Sequence, residues 1–152
     1  MKKISISTSL CFVLLIALSP FSAFAMKDMN HGGGMSMGGD MVMLHGAEVD
    51  GVQASAHLMD VREAMAKHGM SMTHHFMVGF TDSAGQQLKS GQVALKIEGP
   101  DGTVSGPVRL MDMDGQFGAD ITLDKKGTYN FMVGTKLSDG KTRTFHLHHE
   151  QK

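Results

Sequence analysis

Gly34-Met35-Ser36-Met37 and Gly69-Met70-Ser71-Met72 spell the same four residues twice, and the second copy runs through Thr73 into His74 and His75. Thioether sulfur is soft, uncharged and free of protons at neutral pH. It binds Cu(I) or Ag(I) and holds hard ions such as Mg²⁺ and Ca²⁺ poorly. One thioether is a weak ligand, but Met-x-Met or Met-x-x-Met spacing brings several together at little cost in loop closure. The chain carries 15 methionines and 9 histidines, and all of these except Met1 fall after residue 25. Met26-x-x-Met29, Met35-x-Met37 and Met41-x-Met43 follow one another, with His31 and His45 beside them. The single cysteine, Cys11, lies inside the apolar run 10–18. Downstream of that run no thiolate is available, so a soft ligand there must be methionine.

Alternation then separates two faces of the segments around the second repeat. Phe76, Val78 and Phe80 point one way, and His75 and Met77 the other. In the segment before it, Ala54, Ala56 and Leu58 share the apolar parity and leave His57 and Met59 outward. If the two strands pair antiparallel with His57 opposite Met77, Met59 falls opposite His75. Directly opposed Cβ atoms are about 4.5–5.5 Å apart, so the four side chains would form a two-histidine, two-methionine cluster suited to copper. The other reading of the same residues is four separate surface side chains. Met65, His68, Met70, Met72 and His74 precede the strand and could fold over its end as further ligands; Met70 and Met72 could equally pack beneath the loop as apolar lids. His146 and His148, at i and i+2 in "FHLHHE", could chelate Zn²⁺ or Cu(II) or be merely polar. Met111-x-Met113 reads better as core packing.

The elements that must position these residues are short. Lys2 and Lys3, an apolar run and Ala23-Phe24-Ala25 read as an exported signal, cleaved after residue 25. The mature chain of 127 residues then suffices for one domain, carrying twelve basic and fifteen acidic side chains, a net of −3. With no basic stripe, nucleic acid is excluded as a partner. No later segment could span a membrane. Residues 26–46, glycine-rich and without aromatics, read as a disordered Met/His/Gly-rich tail. From 47 to 152, alternating runs at 49–60, 73–81, 92–98, 103–111, 116–123, 128–136 and 142–149 are separated by turn residues. They predict an all-β, antiparallel sandwich of about seven strands. "VREAMAKH" (61–68) is the exception, with one or two helical turns. Asp124, Gly127 and Tyr129 have the order of an immunoglobulin-type tyrosine corner, with Phe131 where a cysteine would stand; an ordinary turn before a strand tyrosine is the alternative.

The stretches "HHFMVGFTDSAGQQLKSGQVALKIEGPDG" (74–102) and "DGQFGADITLDKKGTYNFMV" (114–133) resemble the YtkA-like exported domains and, more distantly, the CopC-type copper carriers. The resemblance implies a β-sandwich and periplasmic copper handling. It departs from the carriers at the mature N-terminus, which is Met26 here and a histidine there. These readings converge on a periplasmic or secreted, non-enzymatic protein that buffers, scavenges or delivers Cu(I), with Cu(II) at histidine. A copper exporter or a cuproenzyme would be the delivery partner. A structural or interaction module of the envelope, with incidental methionine, is the competing reading. A redox enzyme is disfavoured, because no order of residues suggests a nucleophile or a copper-binding amino-terminal histidine.

Overall fold

The computed structural model describes residues 40–152. The expected signal segment, and with it Met26, Met29, His31, Met35 and Met37, lies outside the described residues. Within them the order is β1 Met41–Val49, β2 Val52–Asp60, α1 Arg62–Ala66, β3 His74–Asp82, β4 Gly91–Glu98, β5 Val108–Arg109, β6 Met111–Met113, β7 Gln116–Ile121, β8 Gly127–Leu137 and β9 Thr142–Gln151. The strands form a five-stranded sheet, β1-β2-β3-β7-β6, and a four-stranded sheet, β5-β4-β8-β9. Every pairing is antiparallel. The all-β sandwich predicted from alternation is the observed architecture.

Two departures from the expected strands have clear causes. First, the strand system begins at Met41, inside the segment read as tail. Asp50 and Gly51 both take positive φ, 50° and 72°, as a tight hairpin turn requires. That turn folds β1 back onto β2, where Leu44 is buried. At Gly46 a Cβ would come within 2.3 Å of the Ala54 carbonyl oxygen and 3.0 Å of Leu147 Cδ2. Only glycine lets β1 approach this closely, and the pairing shifts by a bulge between His45 and Glu48. Second, the run 103–111 is split. Val108 and Arg109 pair with β4 in one sheet, whereas Met111 begins β6 in the other. Leu110, buried between them, marks the crossing.

The core lies between the sheets. Phe76 of β3 stacks on Phe131 of β8 with centroids 5.5 Å apart, and Phe80 packs against Phe145 at 5.3 Å and Phe117 at 6.0 Å. Phe131 thus fills the slot where a disulfide would otherwise sit. The Tyr129 hydroxyl accepts the Lys125 backbone N–H at 2.9 Å, so the tyrosine ties back to its own turn. Phe76, Val78 and Phe80 are at most 1% exposed, and burying each is worth about 1.5–3 kcal/mol. A one-residue slip of β3 would send all three to solvent. The loss would rival the whole stability of a small domain. The core therefore fixes what the opposite face of β3 presents.

Candidate metal site on the outer face of the five-stranded sheet

Opposite the core, β2 and β3 present His57 against Met77 and Met59 against His75, the register supposed in the sequence reading. Neighbouring strands extend both pairs into rows. Met41, Met59, His75 and Asp120 form one row across β1, β2, β3 and β7; Met43, His57, Met77, Gly118 and Met111 form the next and reach β6. Opposed residues of a sheet share a face, so this surface gathers methionine from four strands. Met41 and Met43 are 56% and 53% exposed, and Met111 is 62% exposed. The histidines and Asp120 carry the only titratable side chains of the two rows.

Each histidine is conditioned by its neighbours. His75 Nδ1 lies 2.7 Å from Asp120 Oδ1. An ionised carboxylate only accepts, so the bond assigns the proton to Nδ1 and leaves Nε2 as the lone-pair nitrogen. The pair is partly shielded, with side chains 21% and 32% exposed. The pKa of His57 is lowered, first by burial and then by the neighbouring charge of His75. A neutral imidazole is the ligand form, and this environment favours it.

Gly118 shapes the row. A Cβ there would stand 3.0 Å from the Phe76 carbonyl oxygen, 3.1 Å from Met77 Cγ and 3.2 Å from Met113 Sδ. The place of the missing side chain is taken by two methionine side chains, which reach over the glycine from β3 and β6. Met113 reaches it diagonally, because its own partner is Gln116. The expectation that Met111 and Met113 pack in the core is therefore corrected. Leu110 is the buried residue where the chain crosses sheets, and alternation from it leaves Met111 and Met113 on the outer face. Asp120 was not singled out from the sequence either. Its role depends on β7 lying beside β3, a contact between residues 45 positions apart, and no local motif announces it.

The remaining predicted residues are dispersed. Met41 and Met43 belong to the sheet and not to a tail. His74 has the parity of Phe76 and faces inward, 6% exposed. Its Nδ1 is 2.8 Å from Thr73 Oγ1, and its ring meets that of His149 edge-on, centroids 6.5 Å apart. Burial, foremost, lowers its pKa, opposed by Asp60 and reinforced by Arg62 and His149. His74 is therefore separated from the outer cluster by its own strand. His68 and Met70 are exposed and Met72 half-buried, in the connection from α1 to β3, which arrives at the end of the sheet where Met59 and His75 stand. His146 and His148 lie opposite Met132 and Asn130, on the outer face of the other sheet. Among the described residues no three His, Cys, Asp or Glu side chains form a metal-holding group. A site on this surface must therefore use thioether, and the donor set fits a soft monovalent ion better than Zn²⁺.

The fold is similar to that of FetP from uropathogenic E. coli strain F11, crystallised after recombinant expression in the periplasm of E. coli. The TM-score is 0.54 at 12% identity, over 74% of this chain and 95% of that one. The soluble domain of PmoD from Methylocystis sp. ATCC 49242 (Rockwell) is similar at a TM-score of 0.41 and 10% identity, over 71% and 97%. At such identities the likeness is one of fold. No family model and no curated protein matches the chain, so the YtkA-like and CopC-type resemblance rests on the quoted stretches, and what the chain shares with FetP is the fold.

Proposed function

We propose that this is an exported, non-enzymatic protein that binds Cu(I) on the outer face of the five-stranded sheet and buffers, scavenges or delivers it in the periplasm or outside the cell. His57, Met59, His75 and Met77 are the ligands, with Ag(I) as a mimic. One observation carries the reading: two opposed His–Met pairs stand side by side on neighbouring strands. Chance scattering of methionine over a surface would not alternate the two ligand types in both directions. Asp120 fixes the His75 tautomer. Two thioethers and two imidazoles stabilise Cu(I) without a thiolate, as a chain whose only cysteine lies in its leader would require. The leader, and a structural neighbour expressed in the periplasm, support the location. Among the described residues no helix is long and apolar enough to cross a membrane.

The test is titration of the mature protein under reducing and oxidising conditions with bound metal counted. Cu(I) and Ag(I) are expected to bind in preference to Zn²⁺, and Cu(II) to bind more weakly. Equal competition by Zn²⁺ against Cu(I) would remove the thioethers from the account.

A further inference from the structure

The surface over Gly118 lies beside the four-ligand cluster and is covered by methionine side chains from two strands. Met77 leans into it from β3, with Cγ 3.1 Å from where a Gly118 Cβ would be, and Met113 enters from β6 with Sδ 3.2 Å from the same point. The two side chains thus meet over the same backbone position from the strands on either side of β7. Met111 stands directly opposite Gly118 across the β6–β7 pair and is 62% exposed, free to swing inward. The glycine matters twice. Any side chain there would collide with Met77 and Met113, and its absence lets two unbranched, flexible side chains approach from different strands. Nothing in the fold asks for three methionines around one glycine at a sheet edge: buried apolar contact is supplied on the opposite face, and a solvent-facing edge strand is ordinarily protected by charge.

We infer that Met77, Met111 and Met113 form a second, all-thioether position for a soft monovalent cation, Cu(I) or Ag(I), over Gly118. The inference extends the copper reading but does not share its histidines. Three thioethers are a sufficient set for Cu(I) or Ag(I) and a poor one for any divalent ion of the Zn²⁺ type. Met77 is common to both positions. Its main chain is opposite His57, whereas its side chain leans towards Gly118, so a rotation about its flexible side chain passes an ion from the sulfur-only position to the histidine-bearing one. The outer position would be the entry and the His57–His75 position the holding site.

The test is Ag(I) titration of the full mature chain, followed through the methionine ε-methyl NMR signals, each assigned by its Met→Leu variant. The signals of Met77, Met111 and Met113 are expected to shift together, and to do so still in the His57→Ala/His75→Ala double variant. The Met111→Leu/Met113→Leu variant should bind one Ag(I) fewer per chain, and exposed Met→Leu changes at a sheet edge leave the fold intact. Unchanged stoichiometry in that variant, or three methyl signals that stay still, overturns the inference. So does a response that vanishes with the histidines, which would make these methionines accessories of one site. If instead the three methyls respond and the histidine variant binds Cu(I) as tightly as the native chain, the second position stands and the four-ligand reading fails.

Discussion

The two outer faces of the sandwich are built by the same alternation and mounted on the same core, yet they differ in kind. On the four-stranded sheet the outward residues are solvated and paired with one another: Asn130 Nδ2 donates to Glu98 Oε2 at 3.2 Å, and the Thr128 hydroxyl to Glu150 Oε2 at 2.5 Å. His146 and His148 stand among them as exposed polar residues. On the five-stranded sheet two adjacent rows carry four methionines and two histidines on β1, β2 and β3, with one carboxylate committed to His75. Both faces contain histidine, and His146 even stands opposite Met132, so neither histidine nor one His–Met pair distinguishes them. Two opposed His–Met pairs side by side do. The lesson is that ligand chemistry here is a property of rows across strands, invisible in any single Met-x-Met or His-x-His.

The largest effect would fall on both faces at once. Phe76 lies directly beneath His75 and Met77 in the chain and stacks on Phe131. Phe76→Ala should cost about 3–5 kcal/mol, measured by denaturant unfolding, and should weaken metal binding only as the protein unfolds. A next smaller loss separates the faces. Deleting residues 26–46 removes Leu44 and most of the partner of β2, leaving Leu58 and Ala56 at a raw edge. It should lower stability by about 2–5 kcal/mol, the range for deleting one buried leucine. An unchanged melting temperature would show that β1 is not integral to the sheet.

A subtler asymmetry is in pH dependence. The folded pKa values of His57 and His74 are lowered, in both cases chiefly by burial. In the window below about 6.5 the unfolded chain takes up protons that the folded chain resists. Stability is therefore complete above that pH and declines as pH falls through the window. Chemical denaturation at stepped pH should show the decline, and replacing His74 by a non-titrating residue of similar size should flatten it. The smallest expected effect concerns the polar face. His146→Ala/His148→Ala should leave Cu(I) affinity unchanged and stability within about 0.5 kcal/mol; a marked loss of Cu(I) would erase the distinction between the faces.

Much of this was legible in the residues. The faces of β2 and β3 followed from two apolar alternations, but a two-residue shift would keep the same faces, so the register of His57 against Met77 was an assumption that the observed pairing matches. The tyrosine corner was readable from Asp124, Gly127 and Tyr129, and the Tyr129–Lys125 bond bears it out. The start of the domain was misjudged because glycine and methionine at 32–43 masked an alternating strand. Asp50-Gly51, flanked by Val49 and Val52, was the available signal for a hairpin. Met111 and Met113 were assigned to the core as a pair sharing one strand face, although Leu110 is the buried residue and alternation from it turns both outward. His74 was placed in the loop before β3, whereas it is the first residue of that strand and has the inward parity of Phe76. Asp120 and the meeting of Met77 and Met113 over Gly118 depend on β7 lying beside β3, a tertiary neighbour that no local pattern encodes.

The central claim is that opposed His–Met pairs on β2 and β3 make the tightest copper site. It is tested most directly by competitive Cu(I) titration, under reducing conditions, of the native mature chain against its His75→Ala/Met77→Ala variant, with unfolding followed in parallel. Removing two of four ligands should weaken the tightest site by roughly 100-fold, about 2.7 kcal/mol of binding. Stability should stay within about 1 kcal/mol, because both side chains face outward. Native-like Cu(I) affinity in a variant that has lost several kcal/mol of stability would contradict the account, and would make His75 and Met77 packing residues of the sandwich.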